Sequence, residues 1–200
     1  MPDQVRHDET GKLSYIPTMT LPADPRAWLY RADLDPDTAL RLTADALRKC
    51  DDGELYLQYQ TSESFGFDDG RLKTADYNTT AGFGLRGVSG EMTAFAHANE
   101  ISAAAIRRAA ETMQLLDPAK RQPAPPPQRS NQHLYTADDP LTLVPFAEKV
   151  ALCQQIDAAA RARDARVAQV SVGLSGPWNV IEIVRPDGFV AQDIRPLVRL

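Results

Sequence analysis

Histidine is scarce in this chain: His7, His97 and His133 are the only three in 200 residues. None has a glutamate beside it or a second histidine at helical spacing, so a zincin-type His-Glu-x-x-His site is absent. Cysteine is scarcer still. Cys50 and Cys153 lie far apart with no CxxC partner, which excludes a disulfide framework and fits buried thiols in a reducing compartment. Long apolar runs are also missing, and none approaches the roughly 18 residues needed to cross a bilayer. The opening MPDQVRHDETGK has acidic residues and no apolar core, so no secretory signal is read there. Lys and Arg are scattered along a chain of net charge −5, and a dispersed basic set cannot drive counterion release from nucleic acid. These absences leave a cytoplasmic protein with neither a membrane nor a nucleic acid as its partner.

What remains is ordinary globular material. Hydrophobic residues make up 43% and charged residues 24%, enough apolar content to close a core without staples. Residues 1–33 read as an irregular, proline-punctuated arm with apolar islands at Tyr15–Ile16 and Trp28–Leu29. Asp35–Pro36 then starts a helix, with the aspartate as N-cap and the proline where a missing amide costs nothing. Ala39, Leu40, Leu42, Ala46 and Leu47 carry helical spacing up to Cys50.

Beyond Asp52–Gly53 the pattern alternates. Five short strands are predicted in a meander: 54–60, 64–67, 71–76, 81–88 and 92–98. Asp69–Gly70 and Ser89–Gly90 serve as tight turns. Ser102 caps a second helix to Leu116, with Ile106, Ala109, Ala110 and Met113 as its buried stripe. Helix, strands and helix in separate blocks predict an α+β (α/β mixed) domain over 34–116 with an antiparallel sheet.

Five of the fifteen prolines fall between Pro118 and Pro127, so 117–142 reads as a semi-rigid linker. A second, β-rich unit is expected over 143–200. It begins with a helix from Leu143 to Ala162 whose buried face holds Phe146, Val150, Cys153, Ile156 and Ala160. A strand over 167–174, a turn at Ser175–Gly176–Pro177 and a strand over 179–185 follow. Asp187–Gly188 then turns into a last strand from Phe189 to Asp193. The apolar close, Pro196-Leu-Val-Arg-Leu200, predicts that this second unit is unfinished, since an unpaired strand invites aggregation.

No position can be nominated as catalytic or metal-binding. Gly82-Phe-Gly84-Leu-Arg-Gly87 has the spacing of a dinucleotide fingerprint but leads into a turn and a strand rather than a helix, so sheet glycines are expected. His97, flanked by Phe95, Ala96 and Ala98, reads as a partly buried strand histidine. Gly173-Leu-Ser175-Gly176 lacks the nucleophile-elbow spacing. Asp68, Asp69, Asp138 and Asp139 read as turn residues.

Several stretches nevertheless resemble the TldD/PmbA family. They are Glu63-Ser-Phe-Gly-Phe-Asp-Asp-Gly70-Arg-Leu-Lys with Tyr77-Asn78, and Gly82-Phe-Gly84-Leu-Arg86-Gly-Val-Ser-Gly90-Glu91. Thr93-Ala-Phe-Ala-His97-Ala-Asn-Glu-Ile-Ser102 follows, where His97 replaces a common aromatic. From Val170 on, Leu174-Ser-Gly176, Asp187-Gly188 and Asp193-Ile-Arg-Pro-Leu-Val-Arg199 are similar to the TldD branch.

The resemblance runs from about Leu34 onward. It implies the N-terminal portion of a cytoplasmic zinc metallopeptidase that acts on small or unfolded peptides and peptide precursors and pairs with a PmbA-like subunit or with itself. In that family zinc is held by a His-Glu-x-x-x-His helix and a later cysteine, a motif these residues do not contain. The chain alone is therefore expected to lack zinc and to be inactive. The other reading is a non-enzymatic interaction or regulatory module that pairs with a family subunit.

Overall fold

In a computed structural model of the chain, residues 24–120 and 134–200 are described. Of the expected N-terminal arm and proline-rich linker, residues 1–23 and 121–133 fall outside the described part, as do His7 and His133. The last part of the arm is ordered rather than irregular. A 3-10 turn spans Pro25–Trp28, and Leu29 and Leu34 behind it are fully buried.

Helix α1 spans Pro36–Leu47 and begins as the sequence predicts, with the Asp35 side chain accepting the Thr38 N–H at 2.6 Å. It buries Ala39, Thr43 and Leu47, each one turn from the next. Strands β1 (Asp52–Asp68) and β2 (Arg71–Ser89) form one long hairpin, and β3 (Met92–Ala98) pairs with the end of β2. Three strands therefore stand where five were expected. The polar stretch 61–63, read as a break between two strands, runs on as strand because β2 and β4 pair with it from both sides, so its backbone groups stay satisfied. At the hairpin tip Asp69 and Gly70 both have positive φ, +46° and +74°, as a two-residue turn of the right hand requires.

Helix α2 (Ala103–Met113) is capped by Ser102 and packs beside α1. The second half supplies a short α3 (Pro140–Leu143), a long α4 (Phe146–Arg163), and strands β4 (Ser171–Val184) and β5 (Val190–Pro196). The expected turn at Ser175–Gly176–Pro177 is not one. These residues lie inside β4, where the strand changes neighbours from β5 to the 197–199 segment, a place in a sheet that tolerates proline.

Both halves share one antiparallel sheet of order β3-β2-β1-β4-β5, with β4 from the second half lying directly against β1 from the first. All the helices cover the same face. Leu55, Leu57 and Tyr59 of β1 point into a large core under α1 and α2. Phe65 and Phe67 enter a smaller core under α4, where Phe146 meets Phe65 edge-on at 5.1 Å. Among the described residues, no helix lies on the opposite face, which carries Tyr56, Gln58 and Gln60.

Candidate functional site

Three places concentrate polar groups, and two of them lie in the seam between helices and sheet. In the first, Lys149 of α4 is 7% exposed and donates to the Glu63 carboxylate of β1 at 2.5 Å and to the Leu141 carbonyl at 2.5 Å. Asp139, 2% exposed, caps α3 by accepting the Leu141 N–H at 2.9 Å; burial raises its pKa, partly offset by that bond and by Lys149. Against this cluster opens a cavity of about 270 Å³ lined mainly by apolar side chains, among them Phe65, Leu143, Val144, Leu152 and Val198.

The second place is Glu182 of β4, 1% exposed on the core side of the sheet. Its carboxylate accepts from the Tyr30 hydroxyl and from Gln192 at 3.1 Å, with Arg26 4.0 Å away. Burial pushes the Glu182 pKa up against these partners, and burial beside that carboxylate pushes the Tyr30 pKa up as well. The network anchors the 3-10 turn onto the sheet.

The third is a shallow trough on the helix-free face. Tyr56, Gln58 and Gln60 form one wall and Phe95, His97 and Asn99 the other, with Gly82 and Gly84 between. Gln58 bridges to Asn179 at 2.8 Å, and further along β2 Arg86 makes a two-point pair with Glu54 at 2.6 and 2.9 Å. The Gly82–Gly87 run is sheet, followed by a turn and β3, so the dinucleotide geometry is absent as expected. His97 corrects one expectation. It is exposed rather than partly buried, because β3 turns it to this open face, where it stacks on Phe95 at 5.8 Å.

The paired aspartates do more than shape their own turns. Asp68 accepts from Gln169 and Ser171, and Asp69 from Arg161 and the Val170 N–H, so the hairpin tip is tied to the start of β4 and the end of α4. Both cysteines are buried, and burial raises the Cys153 pKa, which keeps it a thiol. Among the described residues no group of three His, Cys, Asp or Glu side chains could hold a metal ion, so these residues do not fit a zinc site.

Lys149 and Glu182 went unnoticed in the sequence. Lys149, Cys153 and Asp157 are the buried positions of α4, spaced one turn apart, yet only the cysteine stands out as apolar. Nothing in the alternation of β4 marks Glu182 as inward-facing until its neighbours Val180 and Val184 are seen to share its face.

A five-stranded antiparallel sheet with helices on one face defines an α+β scaffold. Residues 53–116 match the PmbA/TldA metallopeptidase domain 1, and residues 139–200 match the PmbA/TldA metallopeptidase central domain. The chain belongs to the PmbA/TldD family.

It is 36% identical over 157 residues to the metalloprotease TldD homologue of Haemophilus influenzae, covering 76% of this chain and 33% of that protein. It is also 36% identical over 150 residues to the TldD homologue of Buchnera aphidicola from Schizaphis graminum, covering 74% of this chain and 31% of that one. The chain thus spans about a third of the length of these relatives.

Its fold is shared with a putative modulator of DNA gyrase from Thermotoga maritima, at TM-score 0.62 and 14% identity, over 80% of this chain and 37% of that one. TldE from Thermococcus kodakarensis gives TM-score 0.53 at 15% identity, over 80% and 39%.

Proposed function

We propose that this chain is scaffold for a TldD-like, cytoplasmic zinc metallopeptidase that acts on small or unfolded peptides and peptide precursors. The observation that carries the reading is the ordered match to domain 1 and to the central domain, joined here by the pairing of β1 with β4. In this reading zinc and the catalytic groups come from sequence other than these 200 residues. The chain's own part is to fold and to present the sheet against which the rest assembles. Its partner in the assembled protein is a PmbA-like subunit or a second copy of itself. No helix among the described residues is long and apolar enough to cross a membrane, which is compatible with this setting.

The test is elemental analysis and peptide hydrolysis on the purified chain, alone and then extended along its natural reading frame. Zinc well below one equivalent and no cleavage are expected for the 200 residues, with both appearing on extension. Stoichiometric zinc in the 200-residue chain would sink the proposal.

A further inference from the structure

The trough on the face opposite the helices is built from neutral side chains. Among the described residues that line it there is no Asp, Glu, Lys or Arg, although 24% of the chain is charged. In their place stand the exposed rings of Phe95 and His97 and the amides of Gln58, Gln60 and Asn99. A ligand with a formal charge would give up water here without gaining a counter-ion, so the site selects an uncharged one.

Phe95 is 60% exposed, and its seat shows how it is held. A Cβ on Gly84 would stand 3.1 Å from the Phe95 ring, so the ring lies over the glycine and leaves its other face open. His97 stacks beside it at 5.8 Å between centroids. Together they form a flat apolar plate along one wall.

Across the trough the amides are already ordered. The Tyr56 hydroxyl donates to Gln58 Oε1 at 3.2 Å, and Gln58 Nε2 donates to Asn179 at 2.8 Å and to Gln60 Oε1 at 3.4 Å. This chain occupies the Gln58 amide and fixes Gln60 by its oxygen. The Gln60 NH2 group and the lone pairs of the Tyr56 oxygen are left for a ligand. At Gly84 the backbone is paired with β1 on one side and β3 on the other, so an extended peptide finds no strand edge there. Recognition falls to side chains.

We propose that this trough binds a neutral saccharide, with a pyranose ring stacked by its C–H face on Phe95 and its hydroxyls bonded to Gln60, Asn99 and Tyr56. A pyranose with equatorial hydroxyls, as in β-linked glucose, is the match. Its axial C–H bonds make flat apolar faces for the plate, and its rim of hydroxyls both donates and accepts, as the amides and the phenol require. The trough's volume of about 350 Å³ is that of a small-ligand site. This goes beyond the peptidase reading, because binding needs neither zinc nor a peptide.

The test is a titration of the isotope-labelled chain with cellobiose, followed by NMR. The expected result for so shallow a site is a Kd on the order of 1 mM, with shifts at the Gly84 and Phe95 amides and the Gln60 and Asn99 side-chain NH2 signals. Sorbitol, which carries the hydroxyls of glucose but no ring face, should bind at least about tenfold more weakly. F95A removes only an exposed ring, so it should fold, which circular dichroism verifies, and it should lose about tenfold in affinity while F95W retains it.

No shift of these signals up to about 20 mM cellobiose overturns the proposal. So does sorbitol that binds as well as cellobiose, or an F95A affinity equal to that of the native chain. A capped, uncharged phenylalanine dipeptide that moves the same signals at lower concentration than cellobiose overturns it in favour of a peptide site.

Discussion

Replacing Lys149 by methionine removes the cation from the seam between α4 and the sheet while keeping most of the stem volume. The Lys149 side chain is 8% exposed and that of Glu63 15%, so water reaches the carboxylate only in part. Breaking a buried pair by removing one partner costs about 3–5 kcal/mol, because the remaining charge is left desolvated. The residual access of Glu63 puts K149M near the lower end, about 3 kcal/mol, with the lost bond to the Leu141 carbonyl included.

The double variant E63L/K149M leaves no orphaned charge and should recover to within about 1 kcal/mol of the native protein. Urea denaturation followed by tryptophan fluorescence reads this directly, since Trp178 is 1% exposed beside Thr61 in the same seam. With a slope of about 2 kcal/mol per molar, K149M should lower the midpoint by about 1.5 M, and the double variant by less than about 0.5 M. A shift below about 0.3 M for K149M, or a double variant as unstable as the sum of E63L and K149M, would refute the desolvation reasoning.

Two further outcomes follow from the geometry. A Cβ on Gly82 meets the Ala98 backbone carbonyl at 2.6 Å, whereas one on Gly84 meets only the exposed Phe95 ring at 3.1 Å. G82A should therefore cost about 1–3 kcal/mol in urea denaturation and G84A well under 1, and equal losses would argue against the sheet role of these glycines.

Burial raises the Glu182 pKa above its ordinary 4.5, so the folded state holds that proton longer than the unfolded chain. The resulting contribution to stability is present below about pH 4.5 and is lost as pH rises through the raised value. E182Q, which keeps an acceptor for Tyr30, should abolish this part of the pH dependence. E182A should cost about 1–3 kcal/mol by orphaning Tyr30 and Gln192. A pH profile unchanged in E182Q would count against the assignment.

Sequence alone determined the local punctuation and the class. Asp35, Ser102 and Asp69–Gly70 act through their own side chains or their own backbone freedom, so their roles are legible without neighbours. Family membership was legible for a similar reason, because it rests on the order of short motifs along the chain.

What only the tertiary structure decided are the features that depend on a distant partner. The stretch 61–63 is strand because β4, more than a hundred residues away, pairs with it. Lys149 is buried because Glu63 and the Leu141 carbonyl accept its hydrogen bonds, and Glu182 turns inward to Tyr30. His97 lies exposed for the same kind of reason: the helices chose the other face of the sheet. Alternation along a strand says which residues share a face, but only packing says which face is covered.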